Sequence, residues 1–317
     1  MIIIPPSYEI LDNLDMQSLA VRIEACGRVC YKSEDKISEA SAGPFIKNII
    51  KRGHNSVMEM GVITLKVSYD RESFATQLYA ALPKFLHIDV PDKKIVLITG
   101  SVRAFREIYQ TQGKLKMVKA ITAFLAERHP MFFFDLVPKR GWVTQEGVMV
   151  EKISLAEVDK LPTDLLAKHR HLAVKFFVNR AITHEIVRHR PCSYLQESQR
   201  YCRYGESKFG SQVTFIKPMF FEAGTEEYAL WEKAMLQTEE IYLELLKTAS
   251  PQAARTVLPN SCKTELIAYA NLLEWLHILK LRTSPGAEPS MREIMNPLLN
   301  EFKQRFPPVF SALEPKI

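Results

Sequence analysis

A chain of 317 residues that is 47% hydrophobic carries enough apolar side chains for an ample core, so a disordered or fibrous protein is excluded. No apolar run reaches about 18 residues, and MIIIPPSYEI at the N-terminus has no basic region ahead of a long apolar stretch, so neither a membrane span nor a signal peptide is expected. The net charge of +6 is spread along the chain without a basic block, which does not single out a polyanion partner and fits small anionic ligands as well. Five cysteines are an odd, sparse set that predicts reduced thiols and a cytoplasmic location. The eight histidines form no HxxxH pair and the cysteines no CxxC pair, so no metal site is expected.

In chain order, the spacing predicts a helix over 14–31, the polar turn CYKSED, and a second helix over 41–52 that ends at Gly53. Ile63, Leu65, Val67 and Tyr69 then alternate with Thr64, Lys66 and Ser68 as in a half-buried strand. Between Asp70 and His171 a strand is expected at 94–99 and helices at 102–110 and 117–126, followed by the polar stretch KRGWVTQEGVMVEKIS. That region has no repeat or linker, so 70–171 reads as an elaboration inserted into a single domain spanning 1–317. Val174, Phe177, Val178, Ala181, Ile182 and Ile186 recur at helical spacing. They predict an amphipathic helix stopped by Pro191, with Arg188, His189 and Arg190 in its last turn and 192–199 in a loop. Beyond it, the pattern predicts a strand at 212–217 and a helix over 226–249 ended by Pro251. Last comes a helix capped by Asn260 or Ser261 that runs to Arg282, with Glu265 in its first turn. On that helix Asn271 and Arg282 would fall within about 20° of each other and roughly 16 Å apart.

The chemistry concentrates in Arg188 to Tyr201, RHRPCSYLQESQRY, which holds three arginines, a histidine, two serines and two glutamines. A helix dipole accounts for one or two cations near a C-terminus. Ser193, Gln196, Ser198, Gln199 and Arg200 add hydroxyls, amides and another guanidinium, a donor set suited to an anion such as phosphate.

Arg188, His189, Arg190, Ser193, Ser198, Arg200 and Tyr201 also stand at the spacing of the signature of the flavin-dependent thymidylate synthases, and the chain resembles that family. Leu195 and Gln196 stand where asparagine and glutamate are frequent. His54 to Glu59 is similar to the family's second short motif, with Ser56 as the flavin contact and Met60 in place of the usual histidine. Arg255 in ARTVLPN, Asn271, His277 and Arg282 match further family positions, with Leu273 replacing an arginine found in some members.

The resemblance implies an α/β fold, a curved mixed sheet flanked by long helices, assembled as a homotetramer with sites shared between subunits. It also implies reductive methylation of dUMP to dTMP. 5,10-Methylenetetrahydrofolate is then the carbon donor and NADPH the reductant acting through FAD. Glu185, Arg188, Gln196, Glu197, Ser198, Gln199, Arg200, Arg255 and Arg282 would bind dUMP. Ser56, Arg188, His189, Arg190, Gln196, Asn271 and His277 would hold FAD. Activating uracil at C5 needs a thiol adding at C6 or stabilisation of a ring anion. Neither Cys192 nor Cys202 has a nucleophile's setting, whereas Arg282 matches the family's uracil-activating arginine and could stabilise charge at N3 and O4; Arg282, and Ser198 as a hydroxyl donor near the uracil, are the catalytic residues the resemblance implies. No Gly-x-Gly-x-x-Gly follows a strand, so a Rossmann flavin site is not suggested. Two other readings remain: a nucleotide- or nucleic-acid-binding protein using the arginine cluster, and a flavoenzyme acting on another pyrimidine nucleotide.

Overall fold

The computed structural model describes residues 1–38, 40–138 and 141–313. Among the described residues there are ten strands: β1 (Ile2–Ile4), β2 (Ser7–Ile10), β3 (Val62–Tyr69), β4 (Leu86–Asp92), β5 (Ile95–Ser101), β6 (Val148–Lys152), β7 (His171–Asn179), β8 (Ser193–Gln196), β9 (Thr214–Ile216) and β10 (Lys263–Asn271). The longer helices are α1 (Leu19–Val29), α2 (Ala42–Lys51), α3 (Val102–Gln112), α4 (Lys116–Arg128), α5 (Arg180–Ile186), α6 (Glu226–Thr248), α7 (Leu272–Arg282) and α8 (Pro289–Arg305). The class is therefore mixed α/β. Of the polar stretch 139–154, residues 139 and 140 lie outside the described residues and 148–152 form β6.

The strands make two four-stranded antiparallel sheets, ordered β2-β7-β10-β8 and β4-β5-β3-β6, and a parallel pair of β1 and β9. At the centre β7 and β10 pair along their full lengths, from Lys263 opposite Asn179 to Asn271 opposite His171. One face of this sheet presents Leu172, Val174, Phe176, Leu266 and Ala268 to Trp275 and Leu279 of α7 and to Met295 and Leu299 of α8. The other presents Ala173, Ile267 and Tyr269 to a core shared with Ile23 of α1 and Leu65 of β3. Each aliphatic side chain buried this way contributes roughly 1.5–3 kcal/mol relative to exposure. Trp275 donates its Nε1 proton to Leu172 O at 2.9 Å, so the bulkiest residue of that core leaves no donor unsatisfied.

Two expected helices are corrected here. Residues 171–179 are strand, and the helix that follows covers only Arg180–Ile186, so Arg188, His189 and Arg190 lie in a turn beyond it. Ser193–Gln196 is a strand rather than loop, because its backbone adds to the edge of β10. Likewise 263–271 is strand. The cap of the helix that follows is Asn271, not Asn260 or Ser261, and its first turn holds Glu274, not Glu265. The physical reason is common to both: a strand covered on its two faces is apolar at successive positions, and the polar-apolar alternation that marks a half-exposed strand disappears. Among the described residues no helix is long and apolar enough to cross a membrane.

The expected elaboration supplies most of the second sheet: β4, β5 and β6 all fall within 70–171 and assemble around β3. Thr64 of β3, Thr99 of β5 and Asp89 of β4 meet His169 in a buried chain of hydrogen bonds that ties this sheet to the start of β7.

Candidate active site

Helix α5 starts where β7 ends, with Asn179 Oδ1 accepting from Ile182 N at 3.0 Å, and α7 starts where β10 ends, with Asn271 Oδ1 accepting from Glu274 N at 2.8 Å. Because β7 and β10 are antiparallel, the two helices begin at opposite ends of the sheet and run back over it until their C-terminal ends meet. Arg282 makes the junction. Its terminal nitrogens reach Glu185 Oε2 at 2.5 Å and Glu185 O at 3.0 Å, and its Nε donates to His189 Nε2 at 2.9 Å. Three of the five guanidinium protons are thereby used within the chain, and two remain for a ligand. Accepting at Nε2 requires a neutral His189 protonated on Nδ1. Burial first, then the charges of Arg282 and His277, hold its pKa down to about 4. His277, exposed on α7, stands edge-on to that ring at 5.8 Å between centroids.

Tyr194 fixes the turn between α5 and β8, its hydroxyl lying 2.9 Å from Ile186 O and 3.2 Å from His189 O. Gln196 donates towards Thr183 and Thr264 hydroxyls at 3.0 and 3.2 Å. Glu197 is buried and accepts from Tyr204 Oη at 2.7 Å and Lys263 Nζ at 2.8 Å, so its carboxylate is satisfied by the chain. Ser198 N donates to Cys30 O at 3.0 Å, which anchors the loop on α1's C-terminal side. Gln199 is also buried, yet among the described residues its Nε2 has no partner. Arg200 is exposed and its Nε donates to Gln252 Oε1 at 3.3 Å, which brings it to the segment that carries half-buried Arg255. Arg188 and Arg190 are exposed.

The second motif forms a 3-10 turn over Asn55–Met60, entered through Gly53 at φ +69°, a left-handed position that glycine takes without the Cβ penalty. Ser56 is exposed on it, and Glu59 is paired with Arg103 of α3 at 2.6 Å. Glu59 also borders a cavity of about 570 Å³ whose other walls include Arg190, Ser193, Asn271, His87 and Leu86. Motif residues from three separated stretches thus share one cleft. Asn271 sits there only 1% exposed, its Nδ2 directed at Lys168 O at 3.0 Å and His87 Nε2 at 3.1 Å, so the protein uses all of its amide. A larger cavity, about 870 Å³, opens beside Arg22, Arg128 and His169 and contains none of the signature residues. His87 and Arg103 had no signal in the sequence, since both lie in the inserted stretch, outside any motif.

All five cysteines are free. Burial pushes the Cys192 thiol up to about 11, and burial with the neighbouring Glu197 charge pushes Cys202 up to about 12. Both remain protonated near neutrality, the opposite of an activated nucleophile.

The sequence model of the family described as thymidylate synthase complementing protein matches residues 14–79 and 164–308. Similar curated proteins are named flavin-dependent thymidylate synthase. The one from Pyrococcus furiosus is 34% identical over 173 residues, which cover 52% of this chain and 69% of that protein. The one from Pyrococcus abyssi is 36% identical over 40% of this chain and 52% of its own length. For Corynebacterium efficiens the figures are 32% identity, 43% and 59%. The chain thus spans between about half and two thirds of the length of these relatives. Both matched stretches carry the motifs described above, and the chain belongs to the thymidylate synthase complementing protein family.

Proposed function

We propose that this chain is a flavin-dependent thymidylate synthase that converts dUMP to dTMP, with FAD as cofactor, 5,10-methylenetetrahydrofolate as carbon donor and NADPH as reductant. The observation that carries the reading is Arg282, a guanidinium locked between Glu185 and His189 with two protons to spare. A planar two-donor fork held in place suits charge that develops across the N3 and O4 edge of a uracil ring, and preorganised donors of this kind act most strongly in the transition state.

A flavin would occupy the cleft at the Asn271 end of α7. About 570 Å³ is within the range of small-molecule and cofactor sites, and the walls combine apolar Leu86 and Tyr269 with the exposed Arg190 guanidinium and the Ser193 hydroxyl. Arg190 would hold FAD from within this cleft; Arg188, His189, Ser56 and His277, also expected to hold FAD, do not line it. Gln196 and Asn271 act through the chain, by fixing β8 and the start of α7. Bound FAD supplies the hydride-transfer chemistry that links NADPH to the methylene carbon. Arg200 and Arg255 would bind the dUMP phosphate, a pairing supported by the Arg200 hydrogen bond to Gln252 on the segment of Arg255, and the Ser198 hydroxyl would bind its base or sugar, whereas the Gln199 amide nitrogen is buried and would act by shaping the loop. Glu185 acts by orienting Arg282, and Glu197 by holding the loop onto Lys263. High thiol pKa values at Cys192 and Cys202 support the anion-stabilising route over covalent addition.

A homotetramer with shared sites is part of this proposal; Leu230, Leu236 and Ile241, each about half exposed or more along α6, offer apolar surface for a second copy. Free cysteines throughout are in keeping with a reducing compartment such as the cytoplasm. The purified protein should take up FAD stoichiometrically, and its flavin absorption band should shift on adding dUMP. A protein that remains colourless after incubation with excess FAD contradicts the reading.

A further inference from the structure

The stretch that separates the two matched segments, 80–163, reaches back to the motifs with two side chains. His87 of β4 places Nε2 3.1 Å from Asn271 Nδ2, and Arg103 of α3 pairs with Glu59 of the motif turn at 2.6 Å. Asn271 commits its Oδ1 to the first turn of α7 and one Nδ2 proton to Lys168 O, so His87 accepts the remaining proton and completes the set. With every polar atom of that amide satisfied, its rotation would cost hydrogen bonds in a buried place. Leu86, His87, Gly100 and Ser101 of the same sheet also line the 570 Å³ cleft, together with Arg190 and Ser193. Phe85, Leu86 and Ala104 add apolar surface beside the polar groups of His87 and Ser101, a combination that suits a planar heteroaromatic ring system bearing acceptors.

We infer that the inserted sheet of this chain is the outer wall of the flavin cleft, and that His87 is a positioning residue that fixes Asn271 and the start of α7. The inference rests on the flavin reading above. Its content is separate: the insertion is part of the binding site and not only an addition to the core.

Titration of FAD by flavin fluorescence tests it on the full-length protein, comparing wild type with His87→Phe, which keeps a ring of similar bulk without the acceptor, and His87→Gln, whose Oε1 can accept the same proton. His87→Phe should weaken FAD binding about five- to tenfold while unfolding remains cooperative, as expected for one lost hydrogen bond in a preorganised site. His87→Gln should stay within about twofold of wild type. If His87→Phe does not fold, His87→Ala reads the same quantity. Wild-type affinity in the acceptor-free variants, or an equal loss in His87→Gln, overturns the positioning role and leaves the flavin reading standing. A wild-type protein that binds no FAD overturns both.

Discussion

Arg282 has both a fixed position and unused donors, and the two properties predict different consequences for its conservative replacement. Arg282→Lys keeps the charge, but a single ammonium cannot bridge Glu185, His189 and a ligand edge together. Methyl transfer in single turnover should slow by about 2–4 kcal/mol, in the range for a preorganised donor, while FAD reduction by NADPH changes little. If dUMP affinity alone falls and the transfer rate is kept, Arg282 only binds. His189 makes a pH prediction. Its pKa is lowered to about 4 by burial, then by Arg282 and His277, so the neutral form that accepts from Arg282 persists well below the ordinary histidine value of 6.5. A depressed pKa adds stability that is complete above 6.5 and is lost as pH falls towards about 4. The affinity for deoxyuridine, which has no phosphate to titrate, should accordingly hold from neutrality to about pH 5 and drop as pH approaches 4; a drop centred near 6.5 would place a charged His189 in the working site. Residues 188–201 were legible in the sequence because hydroxyls, amides and guanidinium groups crowd there with no core to satisfy. What was not legible is which of them face inward: Glu197 is consumed by Tyr204 and Lys263, partners known only once β8 and β10 pair.

At the scale of elements, β7 and β10 show why local pattern misled. Val174 and Phe176, or Leu266 and Ala268, pack on α7 and α8, while Ala173 and Ile267 pack on the other core, so the apolar run has no period to read. By contrast β3, α2, α3, α4 and α6 were legible to within a few residues, since each keeps a clear alternation, a cap or a terminating glycine or proline. The same pairing creates a buried ionic cluster that no motif announces. Glu265 of β10 lies 2.8 Å from Lys263 and from Lys32 and 2.6 Å from Lys175 of β7. Burial raises its pKa, but Lys263 and Lys175 outweigh that and leave it at about 2. Its contribution to stability is therefore present above the ordinary carboxylate value of 4.5 and lost as pH falls through about 2. Glu265→Gln leaves three lysines facing a neutral amide, and urea unfolding should show a loss of about 3–5 kcal/mol. A change below about 0.5 kcal/mol would mean that the lysines simply turn to solvent.

For the whole molecule, two sheets built from separated parts of the chain meet at one cleft, and the later sheet brings the signature while the inserted sheet brings further residues that line it. Such a site has no counterpart in any single stretch of sequence, so the motifs are legible there while His87 and Arg103 are not. Arg188 and Arg200 are exposed on one copy of the chain, consistent with a proposal in which neighbouring copies complete the phosphate and flavin sites. The proposed route to dTMP uses a flavin and no catalytic thiol. It is tested most directly by mixing the flavin-free protein with dUMP, 5,10-methylenetetrahydrofolate and NADPH and measuring dTMP with and without added FAD. The predicted result is dTMP that forms only when FAD is present, both in the wild type and in a variant carrying Cys192→Ala and Cys202→Ala. No dTMP from the FAD-loaded wild type, or equal dTMP with and without FAD, would contradict the account.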